Sequence, residues 1–423
     1  MLDRKLIRKD PDRVREGLRK KGASFDLDAF LALDERQRVL IQETENLKHE
    51  RNEASQEISR LKKENRDATA ILERMKRSSE RIKEIDAELK DLGARLDELA
   101  LFIPNLPHDS APYGTCPEHN VVRRSWGAIP ESFDGMLPHW EIGEKLGIID
   151  LGAGSSLSGR GFVVLRGDGA RLSRALVNFM IDLHREQGYE EVSVPYLVSR
   201  ECMVGTAQLP KLAEDMYLSE KDDLFLVPTA EVPLTNMYRG SVLDGARLPV
   251  KLTAYSPCFR REAGSYGQDT KGLVRVHQFD KVEMVKLSFP ETSYEELESL
   301  TRDATAVLEA LEIPYRVIEL CTMDMSFGAA KCYDLETFAP AMGRWLEVSS
   351  CSNFEDFQAR RANIRFKRRP NEKPEFVHTM NGSGLALPRV IATILELNQT
   401  PTGKVRVPRA LVPHMGGREY LEA

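Results

Sequence analysis

An arginine guanidinium can hold a carboxylate and a phosphate oxygen together, and a carboxylate nearby can hold an amino group. Both kinds of group occur in FRREAGSYGQDTKGLVRVHQFDKVEM, Phe259 to Met284. The stretch reads as two strand-like runs around a glycine-bearing connection. In the second run, alternation puts Arg275, His277, Phe279, Lys281 and Glu283 on one face and Val276, Gln278, Asp280, Val282 and Met284 on the other. That face carries an aromatic ring and a carboxylate about 13 Å apart at ~3.3 Å per residue. The first run adds Arg260, Arg261 and Glu262, while Gly264, Gly267 and Gly272 permit a mobile loop between the strands. A solvated charged hairpin is the competing reading.

Glu347-Val348-Ser349-Ser350 sets a carboxylate and a hydroxyl three residues apart. Hard oxygen ligands of this kind suit Mg²⁺ bridging phosphates, an ion that keeps several waters and takes few protein ligands. As a bare tetrapeptide it is weak evidence. Thr229-Ala230-Glu231, Asn381 and Ser383 are, by themselves, ordinary loop residues.

The elements that must carry these residues are unevenly distributed. At 423 residues the chain has material for two or more domains, and 41% hydrophobic with 30% charged residues is an ordinary globular composition. A net charge of −6 requires any polyanion to be met by local basic patches. The cysteines at 116, 202, 258, 321, 332 and 351 form no CxxC or paired Cys/His spacing, so no structural zinc and no disulfide framework are expected. The charged start and the absence of any run near ~18 apolar residues predict a cytoplasmic protein without membrane contact.

Asp10 and Pro11 open a short helix ending near Lys21. From Ala23 to Leu92 there is neither glycine nor proline, and Leu33, Leu40, Leu47, Ala54 and Leu61 recur every seven residues. Ile82, Ile85, Leu89, Leu92, Leu96 and Leu99 continue in alternating steps of three and four, a seam that two helices bury against each other. The seam weakens around Lys62 to Ala68, which predicts two long helices folded back as an antiparallel arm, with Gln37, Thr44 and Arg51 at polar seam positions. Residues 60–83 hold nine basic and four acidic residues, so the arm has a positive tip able to follow an RNA backbone. An ordinary solvated coiled-coil surface is the equal alternative on this feature alone.

Pro104 and Pro107 close the arm, predicting domains 1–105 and 106–423. The second domain mixes strand-like runs at Gly161 to Leu165, Glu191 to Val194, Leu224 to Val227 and Arg344 to Val348 with helices near 170–187, 291–311 and 384–398. It lacks a βαβ rhythm, a G-x-G-x-x-G and a P-loop, so an α+β class with an antiparallel sheet is expected.

The Phe259–Met284 stretch resembles motif 2 of the class II aminoacyl-tRNA synthetases, most closely that of the seryl-tRNA synthetases. Gly188-Tyr189-Glu190-Glu191-Val192-Ser193-Val194-Pro195, after an amphipathic helix bearing Leu172, Ala175, Leu176, Phe179 and Leu183, resembles motif 1. Gly382-Ser383-Gly384-Leu385-Ala386-Leu387-Pro388-Arg389 resembles motif 3 and leads into an apolar helix. With the helical arm, the resemblance covers nearly the whole chain.

The resemblance implies a homodimer with motif 1 at its interface, and activation of L-serine by ATP followed by transfer to tRNA(Ser) and to tRNA(Sec). It implies that Arg260 binds the α-phosphate and the substrate carboxylate, and that Arg389 holds the distal phosphates and stacks on adenine opposite Phe279. Glu262 would meet the adenine amino group, and the ATP set would also include Arg261, Val276, Glu347, Val348, Ser349 and Ser350. Glu347 and Ser350 would ligate Mg²⁺. Thr229, Ala230, Glu231, Glu283, Asn381 and Ser383 would form the serine pocket, with Glu283 on the α-ammonium. Alternation turns Arg261 to the opposite strand face, toward RNA. The glycine loop would meet the tRNA acceptor end. The rival readings are a class II relative that loads a small amino acid on a carrier protein, and an inactive coiled-coil scaffold.

Overall fold

A computed structural model describes residues 1–263 and 271–423; Gly264 and Gly267 of the expected loop lie outside the described residues. The chain forms two compact units, one of Leu2–Arg19 with Ala23–Pro104, the other of Met1, Lys20–Gly22 and Asn105–Ala423.

The first unit is helical. Asp3 caps α1 (Arg4–Lys9), accepting the Lys5 N–H at 2.8 Å, a helix the sequence pattern does not announce. Pro11 starts α2 (Pro11–Lys20), with Asp10 accepting the Arg13 N–H at 3.0 Å. Asp26 caps α3 (Leu27–Lys63) through the Ala29 N–H. A turn through Asn65, at positive φ, leads to α4 (Thr69–Ala100). The α3–α4 pair is antiparallel, for Arg36 pairs with Glu88 and Glu43 with Arg81, both at 2.8 Å. Leu40, Ala54, Ile58 and Leu61 are buried with Ile82, Ile85 and Leu96, as the seven-residue spacing requires. Thr44 is buried in the same seam with its hydroxyl unpartnered.

The second unit is organised by an eight-stranded sheet. Its strands are β1 (Val121–Trp126), β2 (Glu190–Glu191), β3 (Val250–Phe259), β4 (Gln278–Ser288), β5 (Tyr315–Glu319), β6 (Lys331–Ala339), β7 (Arg344–Asn353) and β8 (His378–Ala386). Their spatial order is β1-β5-β6-β7-β8-β4-β3-β2, antiparallel throughout except for the parallel β2–β3 edge. Five helices matter for the site: α5 (His139–Lys145), α6 (Asp168–Glu186), α7 (Glu231–Asn236), α8 (Ser293–Ala310) and α9 (Leu387–Leu397).

Leu172, Leu176 and Met180 of α6, Leu297 and Leu300 of α8, and Val390, Ile391 and Ile394 of α9 pack with Val282 and Met284 of β4. Burying each such side chain stabilises the fold by about 1.5–3 kcal/mol. The helices thereby cover one face of the central strands and leave the other for ligands. Three expectations need correction, the first being the run at Glu191 to Val194, of which only Glu191 is in a strand. The motif 3 helix begins at Leu387, so Gly384 to Ala386 belong to β8. Of the run at Gly161 to Leu165, only Val164–Leu165 is a strand, in a separate two-stranded sheet.

Candidate active site

On the open face of β4, β7 and β8 lies a cavity of about 590 Å³. Strand β4 sends Phe279 and Lys281 to its wall, whereas Glu283 is fully buried and absent from the lining, its carboxylate lying behind Thr229 and Asn381, which do line it. Glu283 Oε2 accepts from the Thr229 hydroxyl at 2.9 Å, and Oε1 accepts from Asn381 Nδ2 at 3.0 Å. Lys281 forms an ion pair with the same carboxylate and donates to Thr229 Oγ1 at 2.8 Å. Its place two residues before Glu283 was legible, whereas its role as Glu283's resident ammonium partner was not.

Glu231, at the start of α7, is a second buried carboxylate. Burial, reinforced by the nearby Glu283 charge, pushes its pKa up to about 7. Gln358 Nε2 donates to Glu231 Oε1 at 2.7 Å, and Gln358 is itself oriented by Thr379. Nothing in the sequence marked Gln358, because it comes from a helix more than 120 residues away in the chain. Ser383 lines the cavity beside Asn381, while Ala230 is fully buried and absent from the lining.

Glu347 and Ser350 sit three apart, which on a regular strand would put them on opposite faces. The β6–β7 register slips by one residue between Glu347 and Ser349, and the extra residue, Val348, lets both Glu347 and Ser350 line the cavity. This oxygen-only pair facing one cavity fits a hard divalent cation completed by waters. Behind it, Asp334 accepts from Ser350 Oγ at 2.5 Å, and its pKa is raised by burial and then by Glu347. The same slip turns Val348 into the core and leaves Ser349 buried, donating to the Ser383 carbonyl at 2.7 Å. Only their main chains remain available to a nucleotide.

A matching slip in β4–β8, between Val282 and Glu283, leaves Gly384 as the extra residue, so Asn381, Ser383 and Ala386 all line the cavity. At the other end, β3 stops at Phe259 and β4 starts at Gln278. Arg260, Arg261, Glu262, Arg275 and His277 therefore lie beyond the strands, contrary to the alternation drawn through them. Arg260 and Glu262 line the cavity, as do Val276 and Arg389. The Arg260 guanidinium lies over the Phe279 ring, 5.2 Å from its centroid, and Glu262 accepts from Arg275 Nη1 at 2.8 Å. Arg261 is absent from the lining; its backbone N–H donates to the Asp215 carbonyl and its guanidinium lies against the Tyr217 ring. Arg389 donates from Nε to the Val274 carbonyl at 3.0 Å and from Nη1 to the Glu347 carbonyl and carboxylate, at 2.7 and 3.1 Å.

The loop that closes the wall, including Ser326 and Gly328, is tied by Lys21, whose ammonium donates to the Ser326 and Ala329 carbonyls at 2.6 Å each. Burial lowers that lysine's pKa to about 7.

An antiparallel sheet with arginines and carboxylates converging on its open face defines the catalytic core of a class II aminoacyl-tRNA synthetase, and residues 214–398 match the family model "tRNA synthetase class II core domain (G, H, P, S and T)". Residues 1–107 match the seryl-tRNA synthetase N-terminal domain. The chain is 56% identical to a serine–tRNA ligase of Heliobacterium modesticaldum, covering 98% of this chain and 99% of the relative. It is 53% identical to the serine–tRNA ligase of Geobacillus kaustophilus over the full length of both. The crystal structure of seryl-tRNA synthetase from Pyrococcus horikoshii complexed with ATP superposes with a TM-score of 0.95 at 37% identity, covering 100% of this chain and 99% of that one. The chain belongs to the seryl-tRNA synthetase family, whose members are serine–tRNA ligases.

Proposed function

We propose that this enzyme activates L-serine with ATP in the 590 Å³ cavity and passes the seryl group to tRNA(Ser). The observation that carries the reading is the buried Glu283 carboxylate, bonded by Thr229 and Asn381 where these line a cavity whose wall bears Arg260 and Arg389. One end suits an α-ammonium and the other suits phosphate.

The attacking serine carboxylate is already ionised, so the first step needs positioning and charge stabilisation rather than a general base. Arg260 bridges the serine carboxylate and the α-phosphate, and Arg389 holds the distal phosphates. Phe279 packs on adenine, and Glu262, with Val276 and the main chain at Val348 and Ser349, completes the nucleotide site. Bound Mg²⁺, held by Glu347 and Ser350, would neutralise phosphate charge as pyrophosphate leaves. Thr229, Glu231 and Ser383 line the pocket for the serine side chain. A site that hydrogen-bonds a hydroxyl rejects alanine strongly, whereas threonine is excluded by crowding.

Domain 1–105 supplies tRNA contacts through its positive tip, where Lys62, Lys63, Arg74, Lys76 and Arg77 are exposed. Domain 106–423 carries the chemistry. The tip's recognition of RNA by backbone and shape is compatible with tRNA(Sec) as a second acceptor. The exposed edge strand Glu190–Glu191, at the end of the sheet, supports motif 1 as a homodimer contact. No described helix is long and apolar enough to cross a membrane.

The test is ATP–pyrophosphate exchange across a panel of amino acids, with Glu283→Gln beside the parent. Serine alone should drive rapid exchange, and Glu283→Gln should raise the KM for serine more than that for ATP. A greater effect on ATP would remove Glu283 from the ammonium site. Charging of a carrier protein in place of tRNA would favour the rival ligase.

A further inference from the structure

Arg389 and Glu396 lie seven residues apart on α9, two turns along the same helix face. Glu396 is fully buried yet gathers four N–H groups. Its Oε1 accepts the His139 backbone N–H at 3.1 Å and the His139 ring at 2.9 Å; Oε2 accepts the Ala341 and Met342 N–H groups at 3.0 and 3.2 Å.

His139, also fully buried, therefore carries its proton on Nδ1, and Nε2 is left to accept the Leu273 N–H at 3.0 Å. Gly272, at φ +73°, lies so close to the ring that a Cβ there would fall 2.2 Å from Nε2. One residue further on, the Val274 carbonyl accepts from Arg389 Nε. Arg389, Val274, Leu273, His139 and Glu396 thus form a closed circuit that begins and ends on α9, and Leu273 and Val274 line the cavity.

We propose that His139, held in one tautomer by Glu396, is a positioning residue for ATP: it sets the backbone at 272–274, which in turn aims the Arg389 guanidinium at the phosphates. A carboxylate–imidazole pair used only to brace the fold would have no reason to end on the cavity wall. The inference deepens the phosphate assignment of Arg389 and rests on it.

The experiment uses the full chain. In serine-dependent ATP–pyrophosphate exchange, His139→Phe, which keeps a ring and removes both of its hydrogen bonds, should raise the KM for ATP about tenfold, the scale of a lost orienting partner. The KM for serine should stay within about twofold, since the Glu283 end of the cavity is untouched by the circuit. Hydrogen exchange of the unsubstituted protein gives a measurement that does not depend on the variant folding. The Leu273 amide should be protected about 10²-fold or more over a free amide. A folded His139→Phe with the parent KM for ATP, an equal rise for both substrates, or an unprotected Leu273 amide in the parent would each overturn the proposal. Arg389→Ala is measured alongside, and a parent-like KM for ATP there would instead sink the phosphate assignment of Arg389.

Discussion

Two buried carboxylates, Glu231 on the cavity wall and Glu283 behind Thr229 and Asn381, lie at the end proposed for the amino acid. Glu283 is compensated by Lys281 at contact distance, whereas the Glu231 carboxylate accepts from the neutral amide of Gln358 and feels the Lys281 and Arg260 charges less than its burial. The result is a proton held on Glu231 up to about pH 7. Because the folded pKa lies above the unfolded one, the native state binds more protons between about pH 4.5 and 7, and stability falls as pH rises through that window. The loss is on the order of 3 kcal/mol, at ~1.4 kcal/mol for each tenfold change in proton affinity. Glu231→Gln keeps an acceptor for Gln358 and removes the titration. Its unfolding midpoint relative to the parent should therefore rise between about pH 5 and pH 8, and parallel pH profiles would show that Glu231 does not titrate there. At the end proposed for phosphate, Arg260→Ala should lower the exchange rate by about 10²-fold or more through lost charge stabilisation; near-parent turnover would place the phosphate elsewhere.

At the scale of elements, two one-residue slips organise the site. The slip at Val348 turns Glu347 toward Ser350's side, and the slip at Gly384 keeps Asn381, Ser383 and Ala386 on one wall. Gly384 has no room for a side chain, since a Cβ there would meet His184 Nε2 at 2.4 Å. Gly382 is equally constrained, its Cβ position lying 2.3 Å from Leu300 Cδ2 of α8 and 2.9 Å from Cys351 Sγ. Gly382→Ala should overpack this contact and cost about 1–3 kcal/mol. Thermal unfolding would register it, and an unchanged midpoint would mean that α8 can move aside without strain.

Over the whole molecule, an acidic chain of net charge −6 carries a concentrated positive segment at the α3–α4 turn. Replacing Lys62, Lys63, Lys76 and Arg77 by Ser should leave serine-dependent pyrophosphate exchange at the parent rate while raising the KM for tRNA. It should also flatten the salt dependence of charging, because fewer counterions are released. Unchanged tRNA kinetics would move the RNA contact off the tip. Much of this organisation is local and so is written in the chain. The α3 and α4 seam follows from heptad spacing, the start of α2 from Asp10 and Pro11, and the shared face of Phe279, Lys281 and Glu283 from simple alternation along β4. What alternation could not deliver is wherever pairing departs from it. Beyond the strand ends at Phe259 and Gln278, Val276, which alternation puts on the face opposite Arg275, lines the cavity beside it, and the slip at Val348 gave Glu347 and Ser350 a common side. Partners such as Gln358, Asp334, Lys21 and the His139–Glu396 pair brace lining residues of the cavity from distant parts of the chain. No local pattern encodes them, because they are chosen by the need of buried charges and carbonyls for hydrogen-bonding partners once the sheet has closed.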